Sequence, residues 1–315
     1  MKKILLLITV LVILSAALGT YNYICTMDKT VIVGYLASDH DAALFVANEK
    51  RMYEKEGITV RLVPFPAGPE LIEAAESGLI DVGYCGISPV TMAIDNGAHI
   101  KIVAAVNEDG SAIVVKNDSK INNISNLKFK KVAIPQKGSV QDVLLKELLE
   151  SHNISLDKVN ITESEVPYMP DSLSFNKFDA FIAWEPYPSY AKIKENGSIL
   201  LYSEDIWKGH PCCVIIATEK FIKDNPKNLK RFIKVHHEAT NYVNYNKEEA
   251  ALITAKKLST NLNVENEGLK HVKFVSIPSD NFIKGVFKFI EDQRELNYIK
   301  KDLSNDTLFD LHYIP

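Results

Sequence analysis

One arrangement recurs in this sequence and restricts its fold more than any other feature: a short apolar strand, a glycine turn and a capped helix. Its clearest copy begins with the apolar run Ile80 to Tyr84, which is typical of a buried parallel strand. Gly86 allows the backbone to approach a bound group closely, and Ser88 and Pro89 are typical of a helix start. Such a unit places free helix N–H groups at the carboxyl edge of a sheet, where anions bind. A single copy is also compatible with an ordinary strand-to-helix turn.

A second copy lies later in the chain. Val132 to Ile134 form an apolar run, Gly138 and Ser139 follow it, and residues 140–152 have the periodicity of an amphipathic helix. Between residues 30 and 106, strands and helices alternate in the same way, with one helix expected over residues 42–54. This alternation predicts an α/β fold with mostly parallel sheets flanked by helices.

The chain has 315 residues, a length typical of two domains. Strands at 111–115 and 213–217 bracket the second α/β block, which indicates two crossings between lobes. We predict a first lobe from residues 28–115 and 212–315, the latter part mostly helical, and a second lobe from residues 116–211. A ligand would lie between the lobes, where helix N-termini from both converge.

The N-terminus has the layout of an export signal. Lys2 and Lys3 precede the apolar run Ile4 to Leu18, which is short for a membrane span. The sequence leaves open whether residues 1–27 are a cleaved signal peptide or a retained anchor, and the residues before Cys25 do not form a lipoprotein signal. In both cases we expect an exported protein, periplasmic or at the cell surface, whose N-terminal segment can associate with the membrane.

Charge and cysteine usage exclude several function classes. The net charge of −4 gives no basic surface for nucleic acid. The spacing of Cys212 and Cys213 is wrong for a metal chelator, so we interpret them as small buried residues, with a vicinal disulfide as the alternative. His236 and His237 also lack the spacing of a metal-binding helix, and His236 lies on an apolar stripe. We predict no metal, no cofactor and no catalytic residues.

The order and spacing of several short motifs resemble the nitrate/sulfonate/taurine substrate-binding proteins of ABC importers. These are type II periplasmic binding proteins, related to the pyrimidine-precursor binders of thiamine salvage. The resemblance covers residues 31–250. The motifs that carry it are Gly34-Tyr35, Ala43 to Ala47, Gly57 to Val60, Gly78 to Gly83, Gly97-Ala98, Asp179-Ala180, Trp184-Glu185-Pro186 and His210-Pro211.

The resemblance implies a two-lobe clamshell with two hinge crossovers. It also implies a monomer that captures a small anionic solute and delivers it to a permease served by an ATPase. Val140 stands where many relatives carry threonine, and Glu185 would place a negative charge near the anion. The ligand-binding residues that it implies are Tyr35, Ser38, His40, Tyr84, Gly86, Ser88, Gly138, Ser139, Gln141, Trp184, Glu185 and His210.

Three alternatives remain at this stage. Tyr35, Tyr84 and Trp184 could form an aromatic box for a planar heterocycle such as a thiamine pyrimidine precursor. Some pyrimidine synthases share this fold and carry a cysteine-rich segment, but those relatives act inside the cell, which argues against an enzyme here. An anchored receptor without a permease would use the same clamshell for sensing.

Overall fold

The computed structural model describes residues 30–315, which form two β-sheets flanked by helices. The predicted signal or anchor segment and Cys25 lie outside the described residues. The strands are β1 (Val31–Leu36), β2 (Val60–Phe65), β3 (Val82–Gly86), β4 (Ile100–Asp109), β5 (Ser111–Lys116), β6 (Lys131–Ile134), β7 (Asn160–Glu163), β8 (Ala180–Trp184), β9 (Gly197–Tyr202), β10 (Pro211–Thr218) and β11 (Val272–Phe274).

The first sheet has the strand order β11-β4-β10-β3-β1-β2, and the second has the order β7-β6-β8-β5-β9. In the first sheet β1 pairs in parallel with β2 and β3, whereas β10 runs antiparallel to both β3 and β4. In the second sheet β6 pairs in parallel with β7 and β8, whereas β5 runs antiparallel to β8 and β9. The two-lobe α/β architecture is therefore as expected.

Both sheets are mixed, but of the described strands only β5, β10 and β11 run against the other strands of their sheets, so the strands are mostly parallel as expected. The antiparallel strands include β5 and β10, which begin immediately after the chain has crossed from one sheet to the other. The first crossing is Gly110 alone, between the end of β4 and the start of β5. Residues 111–115, predicted to belong to the first lobe, thus pair in the second sheet as part of β5.

The α-helices follow the predicted alternation, with differences at their ends. They are α1 (Ala42–Glu49), α2 (Met52–Lys55), α3 (Gly68–Glu76), α4 (Ile87–Asp95), α5 (Val140–Ser151), α6 (Met169–Ser174), α7 (Tyr187–Lys194), α8 (Ser203–Ile206), α9 (Glu219–Asp224), α10 (Pro226–Tyr245), α11 (Lys247–Leu258), α12 (Leu262–Gly268), α13 (Asp280–Glu295) and α14 (Asn305–Leu308). The single helix expected over residues 42–54 is divided because Arg51 adopts a left-handed conformation, φ 52°. Within residues 30–315, no helix combines the length and apolarity needed to cross a bilayer.

Helix α13 connects the two lobes. The Gln293 side chain donates from Nε2 to the Ser88 backbone oxygen at 2.9 Å, in the first turn of the first lobe's α4. Lys288 Nζ on the same helix lies 2.6 Å from Glu147 Oε1 in the second half of α5, in the second lobe. Helix α13 therefore contacts the start of α4 and the body of α5 together.

Candidate functional site

A cavity of about 40 Å³ lies between the two sheets. Residues from both lobes line it, at the carboxyl ends of the strands where α/β folds bind ligands. None of the described residues around it is a lysine or an arginine. The lining residues are Leu36, Ser38, His40, Asp41, Ala67, Gly68, Tyr84, Gly86, Pro89, Pro135, Gln136, Ser139, Val140, Gln141, Trp184, Cys212 and Cys213.

Two helices from opposite lobes begin at this cavity. Gly86 is the N-cap of α4, and Ser139 is the N-cap of α5, whose Oγ accepts the Asp142 backbone N–H at 3.2 Å. The first N–H groups of a helix have no partner within it and carry the positive end of the helix dipole. Both helices therefore place the positive ends of their dipoles at the cavity wall.

Trp184 adds a side-chain donor. It ends the buried strand β8 and lines the cavity with 9% of its surface exposed. Its indole Nε1 is buried and has no hydrogen-bond acceptor among the described residues. A buried donor without a partner is costly, so a bound acceptor at this position would recover that energy.

Asp41 is the acidic residue of the cavity wall. Its Oδ2 accepts the Leu36 backbone N–H at 3.1 Å. Burial raises the pKa of Asp41 to about 8, despite the opposing influence of His40. The carboxyl group is therefore mostly neutral at pH 7 and does not repel an anion there.

His40, Cys212 and Cys213 form a buried cluster on the same wall. His40 Nδ1 lies 3.3 Å from Cys213 Sγ and 3.6 Å from Cys212 Sγ, while Nε2 donates to the Gly110 carbonyl at 2.9 Å. Gly110 has φ +93°, and a Cβ there would lie 2.4 Å from His40 Nε2. The glycine at the crossing thus makes room for the histidine that its own carbonyl orients.

Proton affinities in the cluster are unequal. The S–H of Cys213 donates to Cys212 Sγ, which lowers the Cys212 pKa well below its usual value, and His40 lowers it further. The same contact raises the pKa of Cys213 well above its usual value. Burial acts to lower the pKa of His40, but Cys212, the Gly110 carbonyl and Asp41 together outweigh it, and the net pKa of His40 is raised.

The backbone irregularity at Cys212 explains why spacing alone missed this cluster. Pro211 pairs with Glu108 and Cys213 with the adjacent Asn107, so Cys212 is an extra residue without a partner in β4. Neighbouring side chains of a regular strand point to opposite faces, whereas a bulge redirects one of them. Both sulfur atoms consequently lie near the same imidazole, and the three side chains form a group that could hold a metal ion.

The structure brings most of the predicted site residues to the cavity wall. Those that line it are Ser38, His40, Tyr84, Gly86, Ser139, Gln141 and Trp184. Ser88 and Gly138 lie directly behind the wall, where Ser88 Oγ donates to the Gly138 carbonyl at 2.7 Å and joins the two lobes. The prediction missed Asp41, Ala67 and Gly68, although the turn after β2 ends at the same sheet edge as the other loops.

Tyr35 does not contribute to an aromatic box. Its ring packs edge-on against Phe45, with centroids 5.4 Å apart, and the Lys257 ammonium lies 5.1 Å from it. Tyr84 does line the cavity, and its hydroxyl lies 3.1 Å from His236 Nδ1. The described structure therefore leaves Tyr84 and Trp184 without the third aromatic wall that the heterocycle alternative requires.

Glu185 lies behind the cavity, where the lobes meet. Its backbone oxygen accepts from Ser38 Oγ at 3.2 Å and from the Asp39 N–H at 3.1 Å, and its Oε2 accepts the Ser189 N–H at 3.0 Å. Burial raises the pKa of Glu185 to about 7. Burial also raises the pKa of Asp39 well above its usual value, and neighbouring Glu265 raises it further.

His210 packs at the second crossing, away from the wall. It is buried, its Nε2 lies 3.8 Å from Asp109 Oδ1, and its ring lies 6.1 Å from that of Phe289. This environment fits a role in fixing the crossing. In this segment the cavity is lined instead by Cys212 and Cys213, which follow His210 and Pro211 in the sequence.

Comparisons with known proteins agree with this architecture. A sequence profile of the NMT1-like family matches residues 26–259. A provisionally named binding protein of Brucella abortus (strain 2308) is 30% identical over 261 residues, covering 81% of this chain and 79% of its own length. A provisionally named aliphatic sulfonates-binding protein of Bacillus subtilis (strain 168) is 26% identical over 279 residues, covering 86% and 83%.

Solved structures show the same fold. The ligand-binding component of an ABC-type import system from Staphylococcus aureus, with zinc bound, superimposes with a TM-score of 0.81 at 18% identity and covers 91% of this chain and 98% of that one. The periplasmic aliphatic sulphonate binding protein SsuA from Escherichia coli superimposes with a TM-score of 0.78 at 21% identity, with coverage of 90% and 92%. The expected periplasmic-binding-protein fold is confirmed.

Proposed function

The chain belongs to the NMT1-like family, and we propose that it is the solute-binding protein of an ABC importer that captures a small anionic solute of the sulfonate class. The curated relative from Bacillus subtilis, named for aliphatic sulfonates, supports this solute class. The proposed partners are a permease and an ATPase, to which the loaded protein would deliver its solute. No bond-breaking step is proposed, so the protein acts as a carrier and not as an enzyme.

The convergence of unpartnered donors is the observation that carries the proposal. The starts of α4 and α5 approach one cavity from opposite lobes, and the unpartnered indole N–H of Trp184 belongs to the same wall. A helix N-terminus contributes about 0.3–1 kcal/mol to anion binding, and up to about 2 kcal/mol when partly buried. A hydrogen bond to a charged group adds about 1.5–3 kcal/mol. Two helices, the indole and further N–H groups together fit micromolar binding, which requires about 8 kcal/mol.

The absence of lysine and arginine among the described lining residues is consistent with this chemistry. A sulfonate spreads its charge over three oxygens, so several neutral donors can satisfy it. The neutral form of Asp41 removes a carboxylate charge from the wall at pH 7. Export would place the protein where it meets such solutes, and we propose export on the pattern of residues 1–27.

Isothermal titration calorimetry tests the proposal. Purified protein, reduced and stripped of metal, is titrated with ethanesulfonate, taurine, nitrate and a hydroxymethyl aminopyrimidine. We expect saturable one-to-one binding of at least one sulfonate. Selective binding of the pyrimidine, or no saturable binding of any of these compounds, would contradict the proposal.

A further inference from the structure

The cluster of His40, Cys212 and Cys213 has the geometry of one face of a tetrahedral metal site. Its three edges measure 3.9 Å between the sulfurs, and 3.6 and 3.3 Å from Nδ1 to each sulfur. A zinc ion with Zn–S bonds of about 2.3 Å and a Zn–N bond of about 2.05 Å has tetrahedral edges of about 3.8 Å and about 3.6 Å. The observed edges thus differ from the ideal ones by about 0.3 Å or less.

The orientation of His40 is the second observation. The Gly110 carbonyl can only accept, so the proton of a neutral imidazole lies on Nε2 and the lone pair of Nδ1 points toward the two sulfurs. A metal-bound histidine usually donates its other N–H to a carbonyl or a carboxylate in this way. The arrangement therefore includes both the ligands and the group that orients one of them.

The third observation is the position of the cluster. All three residues are buried, which protects thiolate–metal bonds from water, yet all three also line the cavity. Three protein ligands and one side open to a cavity are typical of zinc sites that accept an exogenous fourth ligand, whereas closed structural sites have four protein ligands.

We propose that His40 Nδ1, Cys212 Sγ and Cys213 Sγ bind one Zn²⁺ ion whose fourth coordination position faces the inter-lobe cavity. Thiolate and imidazole are the ligands that Zn²⁺ prefers. The structural likeness to the zinc-bound Staphylococcus aureus protein, at 18% identity, shows the shared fold and carries no information on these three side chains. The bulge at Cys212 is what allows two consecutive residues to bind the same ion.

A metal titration without any organic solute tests the site separately from solute binding. Protein without a histidine tag is reduced, stripped with a chelator and titrated with Zn²⁺ and with Co²⁺. We expect one equivalent of zinc, and a cobalt complex with thiolate-to-metal charge-transfer absorption and intense tetrahedral d–d bands. Substitutions Cys212→Ser, Cys213→Ser and His40→Gln should each weaken zinc binding by at least about 100-fold, the upper end of what loss of an outer-shell partner causes.

Cys85→Ser is the matched control, since Cys85 is also a buried free thiol but is not part of the cluster. It should keep the full equivalent of zinc and the cobalt spectrum. X-ray absorption of the zinc-loaded wild type needs no variant, and we expect two sulfur neighbours at about 2.3 Å. A shell of only nitrogen and oxygen, no zinc retained after reduction, or an unchanged cobalt spectrum in the three variants would overturn the proposal. Sulfonate binding that persists in the stripped protein would leave the proposed function intact in each of those cases.

Discussion

Trp184 is the residue whose chemistry is easiest to isolate, because the chain has two tryptophans and only one lines the cavity. Trp184→Phe removes the indole N–H and keeps most of the ring. We expect sulfonate affinity to fall by about tenfold or more, since a hydrogen bond to a charged group is worth about 1.5–3 kcal/mol. Trp207→Phe is the control, because Trp207 packs against Phe289 at 4.9 Å and should leave the affinity unchanged. Calorimetry measures the sulfonate affinity of both variants. Equal losses of affinity in the two variants would exclude Trp184 as a hydrogen-bond donor to the anion.

His236 predicts an acid-dependent change in stability. Its Nε2 donates to the Ala105 carbonyl at 2.8 Å, and burial lowers its pKa to about 4. The unfolded chain therefore binds one more proton than the folded chain between about pH 6.5 and pH 4. His236 should therefore contribute a fall of about 3 kcal/mol in the free energy of unfolding as pH decreases through this window.

Urea denaturation at several pH values measures this effect. In His236→Gln that part of the pH dependence should disappear, whereas His312→Gln, a change at an exposed histidine, should retain it. An identical pH dependence of the wild type and His236→Gln between pH 6.5 and pH 4 would contradict the neutral buried state of His236. The sequence already predicted a structural role from the apolar stripe of this helix, and the structure confirms it.

At the scale of single elements, the sequence predicted those helices and strands whose own residues mark where they begin and end. The α5 helix begins at Val140, where Ser139 indicated a cap, and β6 has the predicted bounds at 131–134. The bulge in β10 was not predictable, because it depends on pairing with β4, which lies about a hundred residues earlier in the chain. The sheet to which β5 belongs was likewise not predictable from its own residues, since its partners β8 and β9 follow much later.

The single-residue crossing at Gly110 predicts that a side chain at this position lowers the stability of the protein. Gly110→Ala would place a Cβ 2.4 Å from His40 Nε2, with φ +93°. Gly78→Ala is the control, since φ there is +74° and a Cβ would meet nothing within 4 Å. Both changes should lower the free energy of unfolding by about 1–2 kcal/mol, because alanine is strained in the left-handed backbone conformation. Gly110→Ala should lower it by roughly a further 1–3 kcal/mol because of the clash with His40. Urea denaturation compares them, and equal losses would mean that His40 does not depend on this glycine.

At the scale of the whole molecule, Glu185 connects pH to the contact between lobes. Burial raises its pKa to about 7, above the usual 4.5, so between these values the folded chain binds one more proton than the unfolded chain. Glu185 should therefore contribute a fall in the free energy of unfolding of up to about 3 kcal/mol as pH rises from about 4.5 to 7, opposite in sign to the contribution of His236. Glu185→Gln should remove this contribution, whereas Glu165→Gln, at an exposed position, should keep it. Urea denaturation of the wild type and both variants across this range measures it, and identical pH profiles of the wild type and Glu185→Gln would contradict it.

The central claim is that one small anion is held between the lobes by donors from both of them. A crystal structure of the protein grown with ethanesulfonate tests it most directly. We predict sulfonate oxygens about 2.7–3.2 Å from N–H groups at the starts of α4 and α5 and from Trp184 Nε1. A sulfonate bound outside this cavity, or held there by lysine or arginine side chains while the helix starts remain unbound, would contradict the account.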